Sequence, residues 1–276
     1  MRRRDALLSF AALSLPACRR RAGGGIAQRV VSISASTTEA LFAIGAGPQT
    51  VGRSRFCDFP REALALPVVG GYVDPSLEAV LALRPDLVVG ARGPLGSGFA
   101  RTLEERGIAT WFPETERIEQ IFEMLSGLGT RTGHVDASNA LVGRLRAQAA
   151  MIVTKLAARP RRRVFLMFSK RPITSAGPGS FPDEMLQLAG AINVVPKGAT
   201  YPTLALEQVV AYDPDVVLDA EMGGADAPMP TTHAAIRAVA AGRVVRITDE
   251  AVLRPGPRVL DGVVVLARAI HGADAV

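Results

Sequence analysis

The chain has 276 residues, a length that suits one large or two modest domains. Its residues are 48% hydrophobic and 21% charged, a balance that allows buried cores and excludes an intrinsically disordered chain. The formal net charge of +6 falls to +4 without residues 1–17, which carry three Arg and one Asp. No motif for binding DNA or RNA occurs, so we expect no nucleic-acid partner.

The first 18 residues have the features of an export signal. A basic head, Arg2–Arg4, precedes an apolar run over residues 6–15 that is too short to span a bilayer. Small residues then precede Cys18, as in a bacterial lipobox, and the paired arginines resemble a twin-arginine signal. The sequence predicts a signal peptide over 1–18, a lipidated Cys18, a tether over 19–28 and a periplasmic or cell-surface location. A frayed basic N-terminus is the alternative.

Strands and helices then alternate over 29–133, which we interpret as a first α/β lobe. A strand over 29–34 runs into a helix that a capping box from Ser36 to Glu39 is predicted to open. The N–H groups at such a junction lie where open α/β sheets bind ligands. Further elements are predicted as strands over 50–54 and 108–112 and a helix over 117–129.

One stretch of the chain occurs twice. Residues 76–89 read SLEAVLALRPDLVV, and residues 205–218 read ALEQVVAYDPDVVL. In each copy a helix-spaced apolar pattern meets a Pro-Asp pair and then a β-branched run, which predicts a short helix, a break and a buried strand. Two copies are too few for a solenoid. They predict two similar lobes with a ligand-binding cleft between them.

Residues 134–160 are predicted to link the lobes as one stiff helix. The helical pattern covers 136–158, with Asp136 as N-cap and an end before Arg159-Pro160. Its apolar residues fall on one stripe: Leu141, Leu145, Ile152 and Leu156.

The second lobe is predicted over 161–276. It begins with a strand over 163–168, continues into a loop over 174–179, and ends in a helix with Pro257 at its first position and His271 near its end. Because strands and helices alternate, we expect parallel sheets in both lobes. The predicted fold class is α/β, with two Rossmann-like lobes joined by one long rigid helix.

Two glutamates hold equivalent positions in the repeated stretch. Glu78 and Glu207 each lie near the start of a predicted helix. Placement at the positive end of a helix dipole would stabilise each helix by roughly 0.3–1 kcal/mol. The equivalent placement also suits a pair of surface carboxylates for the arginines of a two-fold partner. Both interpretations stay open at this point.

Two tyrosines are equivalent as well. Tyr72 and Tyr201 each lie six residues before their glutamate, and rings facing each other across a cleft could clamp a flat ligand. A half-buried tyrosine without a binding role is the alternative. Phe56 and Phe59 are weaker candidates, which we interpret as core residues.

An enzyme is the less favoured class. The three histidines lack metal-ligand spacing with one another and with Cys57, which we interpret as a small buried side chain. Residues 93–98 are glycine-rich but lack the order of a phosphate-binding loop, so we interpret them as a cleft rim. A two-lobed α/β enzyme working in the same cleft remains the alternative.

Taken together, several stretches resemble the substrate-binding proteins of ABC importers for cobalamin, iron-siderophores and haem, and resemble the cobalamin-binding members most. The resemblance covers nearly all of 29–271. It rests on 29–34 with Thr38-Glu39, on Cys57–Pro60, on Leu77-Glu78 with Leu83–Val88, and on Arg254–Arg258.

The resemblance implies a class III periplasmic binding protein of the helical-backbone metal-receptor type. It implies that Glu78 and Glu207 dock onto a permease dimer that works with an ATPase. It also implies that Tyr72, Tyr201 and Phe56 contact a cobalt- or iron-containing chelate, with Asp249 and Arg254 at the ligand's edge. The expected protein is a tethered monomer with no resident metal or cofactor and no catalytic residues.

The sequence departs from the cobalamin-binding pattern at three positions. That pattern has tryptophans where this chain has Tyr72 and Tyr201, and an aromatic residue where it has Ile173. Haem-binding relatives place an iron-ligating tyrosine at the Tyr72 position. Haem is therefore the second candidate ligand and a ferric siderophore the third.

Overall fold

The computed structural model describes residues 25–92, 97–221 and 233–276. The predicted signal peptide with Cys18, residues 19–24 of the predicted tether and residues 93–96 of the predicted rim lie outside these ranges. In the described ranges the chain forms two α/β lobes, each built on its own sheet.

The first sheet is parallel throughout, as predicted. Its order is β2-β1-β3-β4, with the strands β1 Val30–Ser32, β2 Thr50–Arg53, β3 Leu87–Val89 and β4 Ala109–Trp111. Its helices are α1 Ala35–Ala43, α2 Leu77–Ala82, α3 Ser97–Glu104 and α4 Ile118–Thr132. Val30 packs in a cluster with α1 and α4, and Val31 in a cluster with α2 and α3. Both sheet faces are thus covered, which explains why the two central strands, β1 and β3, are buried along their whole length.

Helix α1 begins earlier than the sequence predicted. Its N-cap is Ser34, whose hydroxyl accepts a hydrogen bond from the Thr37 backbone N–H. The capping box proposed for Ser36 and Glu39 is therefore wrong, because Ser34 already provides the cap. The Glu39 carboxylate is left available for contacts with the second lobe.

The linking helix, α5 Val135–Leu156, has 22 residues and a buried stripe that matches the prediction. Its N-cap is His134 rather than Asp136, and Asp136 instead lies in the first turn, where its charge favours the helix dipole. The helix falls within the predicted segment 134–160, and the proposed division into 29–133, 134–160 and 161–276 stays a prediction.

The second sheet is mixed, with the order β10-β9-β5-β6-β8 and β7 paired to β5. Its strands are β5 Arg162–Lys170, β6 Ile173–Ser175, β7 Ala191–Asn193, β8 Thr203–Leu204, β9 Val216–Asp219 and β10 Val244–Arg246. Its helices are α6 Phe181–Leu188, α7 Leu206–Tyr212, α8 Arg237–Ala240 and α9 Val259–His271. Helix α9 ends at His271, as predicted, but Pro257 precedes its N-cap, Arg258, and so is not its first residue.

The prediction of a parallel second sheet is wrong at one edge. Only Arg171 and Pro172 separate β5 from β6. A parallel connection needs a crossover of a dozen or more residues, so this link forces an antiparallel pair. The sequence interpretation placed a loop over 174–179 and missed β6, since three residues are too few to show an alternating pattern.

The repeated stretch folds the same way in both lobes. Each copy forms a short helix, α2 or α7, then a residue in the left-handed region, Arg84 (φ 46°) or Asp213 (φ 43°), and then the strand β3 or β9. Asp86 accepts a hydrogen bond from the Arg29 backbone N–H at 3.0 Å, and Asp215 accepts one from that of Arg163 at 3.1 Å. The prediction of two similar halves is therefore confirmed in detail.

One hydrophobic cluster runs beneath both lobes. It joins Leu41 of α1, Leu141 of α5, Leu166 of β5 and Leu266 of α9. Close-packed interiors of this kind deform little. The lobes are thus held by a shared core as well as by α5, which leaves little freedom for hinge closure.

Candidate ligand-binding cleft

The lobes face each other along the loops at the carboxyl ends of their parallel strands. Glu39 and Asp58 follow β1 and β2 of the first lobe, and both contact Arg254, which follows β10 of the second. Glu116 follows β4 and contacts Tyr201 of the second lobe. This edge is where open α/β sheets bind ligands.

The first inter-lobe contact, which we call the tyrosine gap, consists of Tyr72, Tyr201 and Glu116. The Tyr201 hydroxyl donates a hydrogen bond to Glu116 Oε2 at 2.7 Å, and the Tyr72 hydroxyl donates one to the Ala91 carbonyl at 3.1 Å. Tyr201 is 44% exposed and Tyr72 is partly buried. The structure thus brings the two predicted tyrosines to the inter-lobe edge, one from each lobe.

A single carboxylate acts on both tyrosines. Burial raises the pKa of Tyr72, and the charge of Glu116 raises it further. Burial also raises the pKa of Tyr201, and the hydrogen bond to Glu116 adds to that rise. Both phenols therefore stay protonated around neutral pH, and the charge of Glu116 acts on both of them.

The aromatic residues around the gap differ from the prediction. Phe56 and Phe59 are 53% and 44% exposed, so the interpretation of them as core residues is wrong. Their loop, 55–60, carries them to the surface, where the Arg258 guanidinium lies 4.0 Å from the Phe59 ring centre. Phe168, which sequence reasoning did not single out, has its ring centre 6.2 Å from that of Tyr201.

The second inter-lobe contact, the arginine junction, joins Glu39, Asp58 and Glu250 to Arg254 and Arg258. Glu39 is 2% exposed. It accepts two hydrogen bonds from Arg258, both at 2.8 Å, and one from Arg254 at 3.1 Å. Arg254 also contacts Asp58 at 2.6 Å and forms an ion pair with Glu250. Such charge-assisted, two-point contacts fix the relative position of the lobes.

The pKa shifts in this junction follow from its geometry. The hydrogen bond from Arg254 holds the pKa of Asp58 below its usual value, against a smaller opposing effect of burial. Burial lowers the pKa of Arg254, but the hydrogen bonds to Asp58 and Glu39 outweigh it and raise the pKa overall. The Arg254 guanidinium is thus engaged with three carboxylates, and Asp249 caps a turn by accepting from the Ala251 N–H at 2.9 Å.

A separate ionic cluster closes the carboxyl edge of the second sheet. The Lys170 ammonium lies 2.9 Å from Asp219 and 3.1 Å from Glu221, and Arg246 lies 2.9 Å from Asp219. Burial lowers the pKa of Lys170, but its two carboxylate partners outweigh that effect and raise it. The cluster pairs its charges internally, so it serves the fold at this edge.

The described residues contain no group of His, Cys, Asp and Glu arranged to hold a metal ion. His134 and His271 each bond a backbone carbonyl, at 2.9 and 3.0 Å. Cys57 is buried, as predicted, against the hydroxyls of Thr38 and Ser54. A search of the described helices for one long and apolar enough to cross a bilayer found none.

Comparison with known families decides what this architecture is. A model of the periplasmic binding protein family matches residues 30–251, which is most of the chain. The chain belongs to the periplasmic binding protein family. The predicted resemblance and the predicted two-lobed class III fold are confirmed.

Individual relatives agree with this assignment. The vitamin B12-binding protein of Salmonella typhimurium is 31% identical over 199 residues, covering 72% of this chain and 74% of the relative. The solved structure of the periplasmic vitamin B12 binding protein BtuF of Vibrio cholerae has a TM-score of 0.79 at 25% identity, covering 88% and 96% of the two chains. A periplasmic heme binding protein from Pseudomonas aeruginosa has a TM-score of 0.77 at 27% identity, covering 90% and 94%. These relatives are named as binding proteins rather than as enzymes, in line with the predicted class.

In this periplasmic binding protein, Glu78 and Glu207 lie in the first turns of α2 and α7. Both are exposed, and neither forms an ion pair with another residue of the described ranges. They occupy equivalent places on the two lobes, so the structure leaves both carboxylates free for a partner. Their docking role stays a prediction.

Sequence reasoning missed three residues that shape the cleft: Glu39, Glu116 and Arg258. Glu39 and Arg258 are 219 positions apart, and no spacing in the sequence signals their contact. Glu116 lies in a short polar loop whose composition is ordinary. The position of Glu116 just after β4, at the carboxyl edge of a parallel sheet, was the one available signal.

Proposed function

We propose that the protein is the substrate-binding component of an ABC importer, and that it captures cobalamin or a related tetrapyrrole chelate between its lobes. The observation that carries the proposal is the contact between Tyr201 of the second lobe and Glu116 of the first, whose charge also acts on Tyr72. Two aromatic rings on a rigid frame suit a flat, broad ligand, because they supply apolar area without large ordering costs.

The proposed location is the periplasm, with a lipid tether at Cys18 after export through the twin-arginine route. Support comes from the basic head, the short apolar run and the small residues before Cys18. Replacing Cys18 with Ser in the full chain should release the protein from the membrane fraction into the soluble periplasmic fraction. Equal membrane association of both forms would contradict the tether.

The ligand can be identified directly. Purified protein should change the absorbance spectrum of added cyanocobalamin in a saturable, one-to-one manner. Mass spectrometry of molecules released on denaturation should recover a tetrapyrrole with unchanged mass, since no bond is made or broken. The ligand assignment is wrong if only a ferric siderophore quenches Trp111 fluorescence while cyanocobalamin and haemin leave the spectra unchanged.

Haem is the second candidate, and one observation favours it. By the resemblance, Tyr72 holds the position of an iron-ligating tyrosine, and among the described residues its hydroxyl bonds the Ala91 carbonyl alone. A haemin titration would then show a charge-transfer band that the Tyr72→Phe variant lacks. The same band in both proteins would remove Tyr72 as an iron ligand.

Delivery to the permease is proposed to use Glu78 and Glu207. Replacing both with Ala should leave ligand affinity within about twofold, because both lie on the outer helices, and should abolish uptake into cells. A matched control is Glu105→Ala with Glu123→Ala, two exposed glutamates of the first lobe, which should leave uptake unchanged. A loss of ligand affinity in the first double variant would contradict the docking role.

A further inference from the structure

The cleft loops hold few cations that a ligand could use. Among the described residues, Asp or Glu side chains already pair with Arg55, Arg92, Lys170, Arg246, Arg254 and Arg258. The two internal stretches outside the described ranges, 93–96 and 222–232, contain neither Lys nor Arg in their sequence. A ligand carboxylate entering this edge must therefore compete with a carboxylate already in place.

Some cations near this edge are exceptions, and two of them are exposed in the second lobe. Arg171, in the turn between β5 and β6, and Lys197, after β7, form no ion pair with another described residue. Both are exposed, and ion pairs made by solvated side chains of this kind contribute little. Arg171 and Lys197 are therefore weak alternative binding groups for an anionic ligand, and replacing both tests this alternative.

The fixed charge in the tyrosine gap itself is negative. Glu116 accepts a hydrogen bond from Tyr201 at 2.7 Å but pairs with none of the arginines or lysines in the described part of the chain. Its neighbour on the same loop, Glu114, is paired with Arg92 at 3.1 Å. Glu116 is thus a carboxylate at the tyrosine gap without a cationic partner among the described residues.

We propose that Glu116 is a specificity-determining residue that disfavours ligands presenting carboxylates to the tyrosine gap and favours a chelate whose edge carries uncharged amide N–H donors. The inference rests on the proposed function and narrows it. A carboxylate accepts hydrogen bonds from amides, but repels another carboxylate brought into a partly desolvated gap. An amide-bearing corrin therefore fits this gap better than a porphyrin with two free propionates or an anionic siderophore.

The decisive variant is Glu116→Gln. Its carbonyl can still accept from Tyr201, so the ring stays in place and only the charge is removed. The matched ligands are haemin and haemin dimethyl ester, which differ in the two propionate charges, with cyanocobalamin as the amide-bearing reference. The matched control is Glu105→Gln, which removes an exposed charge of the same lobe that forms no ion pair with another described residue.

Wild-type protein should bind the dimethyl ester about tenfold more tightly than haemin. Glu116→Gln should tighten haemin binding by about tenfold and remove that preference, while cyanocobalamin affinity changes by less than about threefold. Glu105→Gln should behave like wild type.

Three results would overturn the inference: a wild-type preference for haemin over its ester, an unchanged ratio in Glu116→Gln, or loss of haemin binding in Arg171→Gln with Lys197→Gln. In these cases a tetrapyrrole still binds, so the proposed function survives. Failure of all three ligands to bind wild type would instead overturn the proposed function, and this inference with it.

Discussion

The arginine junction and the tyrosine gap both join the lobes, but they differ in how their charges are satisfied. In the arginine junction each guanidinium pairs with a carboxylate. The buried Glu39 pairs with both Arg254 and Arg258. In the tyrosine gap one carboxylate, Glu116, bonds a phenol and no cation of the described ranges, and Tyr201 remains 44% exposed. The charges of the arginine junction are paired within the protein. In the tyrosine gap, the charge of Glu116 and the two tyrosine rings can contact a ligand.

This difference assigns different roles to the two contacts. A buried, fully paired network stabilises the contact between the lobes, because removing one member leaves the buried charge of another uncompensated. A partly exposed set of rings with one unpaired carboxylate contributes less to the fold and can exchange its water for a ligand. We therefore expect substitutions in the arginine junction to lower stability and substitutions in the tyrosine gap to lower affinity.

The largest effect on stability is expected from Glu39→Ala. It removes the carboxylate that Arg254 and Arg258 share, and Arg258 then keeps no carboxylate partner among the described residues. The free energy of unfolding should fall by about 3 kcal/mol, measured as a lower urea midpoint. The matched control is Glu119→Ala, which breaks an exposed pair with Arg146 and should cost less than about 1 kcal/mol. Equal losses in the two variants would show that the junction is not a structural contact.

The next effect concerns affinity and separates the two candidate ligands. Tyr72→Ala should weaken cyanocobalamin binding by about ten- to hundredfold, because a buried aromatic contact is lost. Tyr72→Phe should stay within about threefold of wild type, since the ring remains. If the phenol oxygen of Tyr72 binds the haem iron, Tyr72→Phe would lose as much haem affinity as Tyr72→Ala. Titration of both ligands into both variants measures the difference, with Tyr212→Phe as a control remote from the gap.

The smallest effect is a pH dependence of the arginine junction. Arg254 holds the pKa of Asp58 below its usual value in the folded protein. Such a carboxylate stabilises the folded state at pH values above its pKa in the unfolded chain, which is about 4. The stabilisation is lost as the pH falls through the lower pKa of the folded protein. The urea midpoint of wild type should therefore fall below about pH 4 more steeply than that of Asp58→Asn. Parallel curves for the two proteins would contradict the linkage.

Much of the fold could be predicted because its determinants are local. The repeated stretch carries its own helix, break and strand, and the structure reproduces all three in both lobes. The buried stripe of α5 follows from spacing alone. The mixed second sheet could not be predicted, because β6 and β8 have three and two residues and are defined by their pairing partners.

The candidate site was predictable only in part. Tyr72 and Tyr201 could be singled out because the repeat makes them equivalent. A ligand contact for Phe56 stays a prediction from the resemblance, and its exposure was not foreseen. The Glu39–Arg258 and Glu116–Tyr201 contacts join residues that are distant in sequence, so they depend on how the lobes meet, which local patterns do not specify.

The most direct test of the cleft is calorimetric titration of cyanocobalamin into wild type and into Tyr72→Ala with Tyr201→Ala. We expect one molecule to bind per wild-type chain, and the double variant to lose affinity by about a hundredfold or more at an unchanged urea midpoint. Equal affinity of the two proteins would contradict a ligand held between the tyrosines.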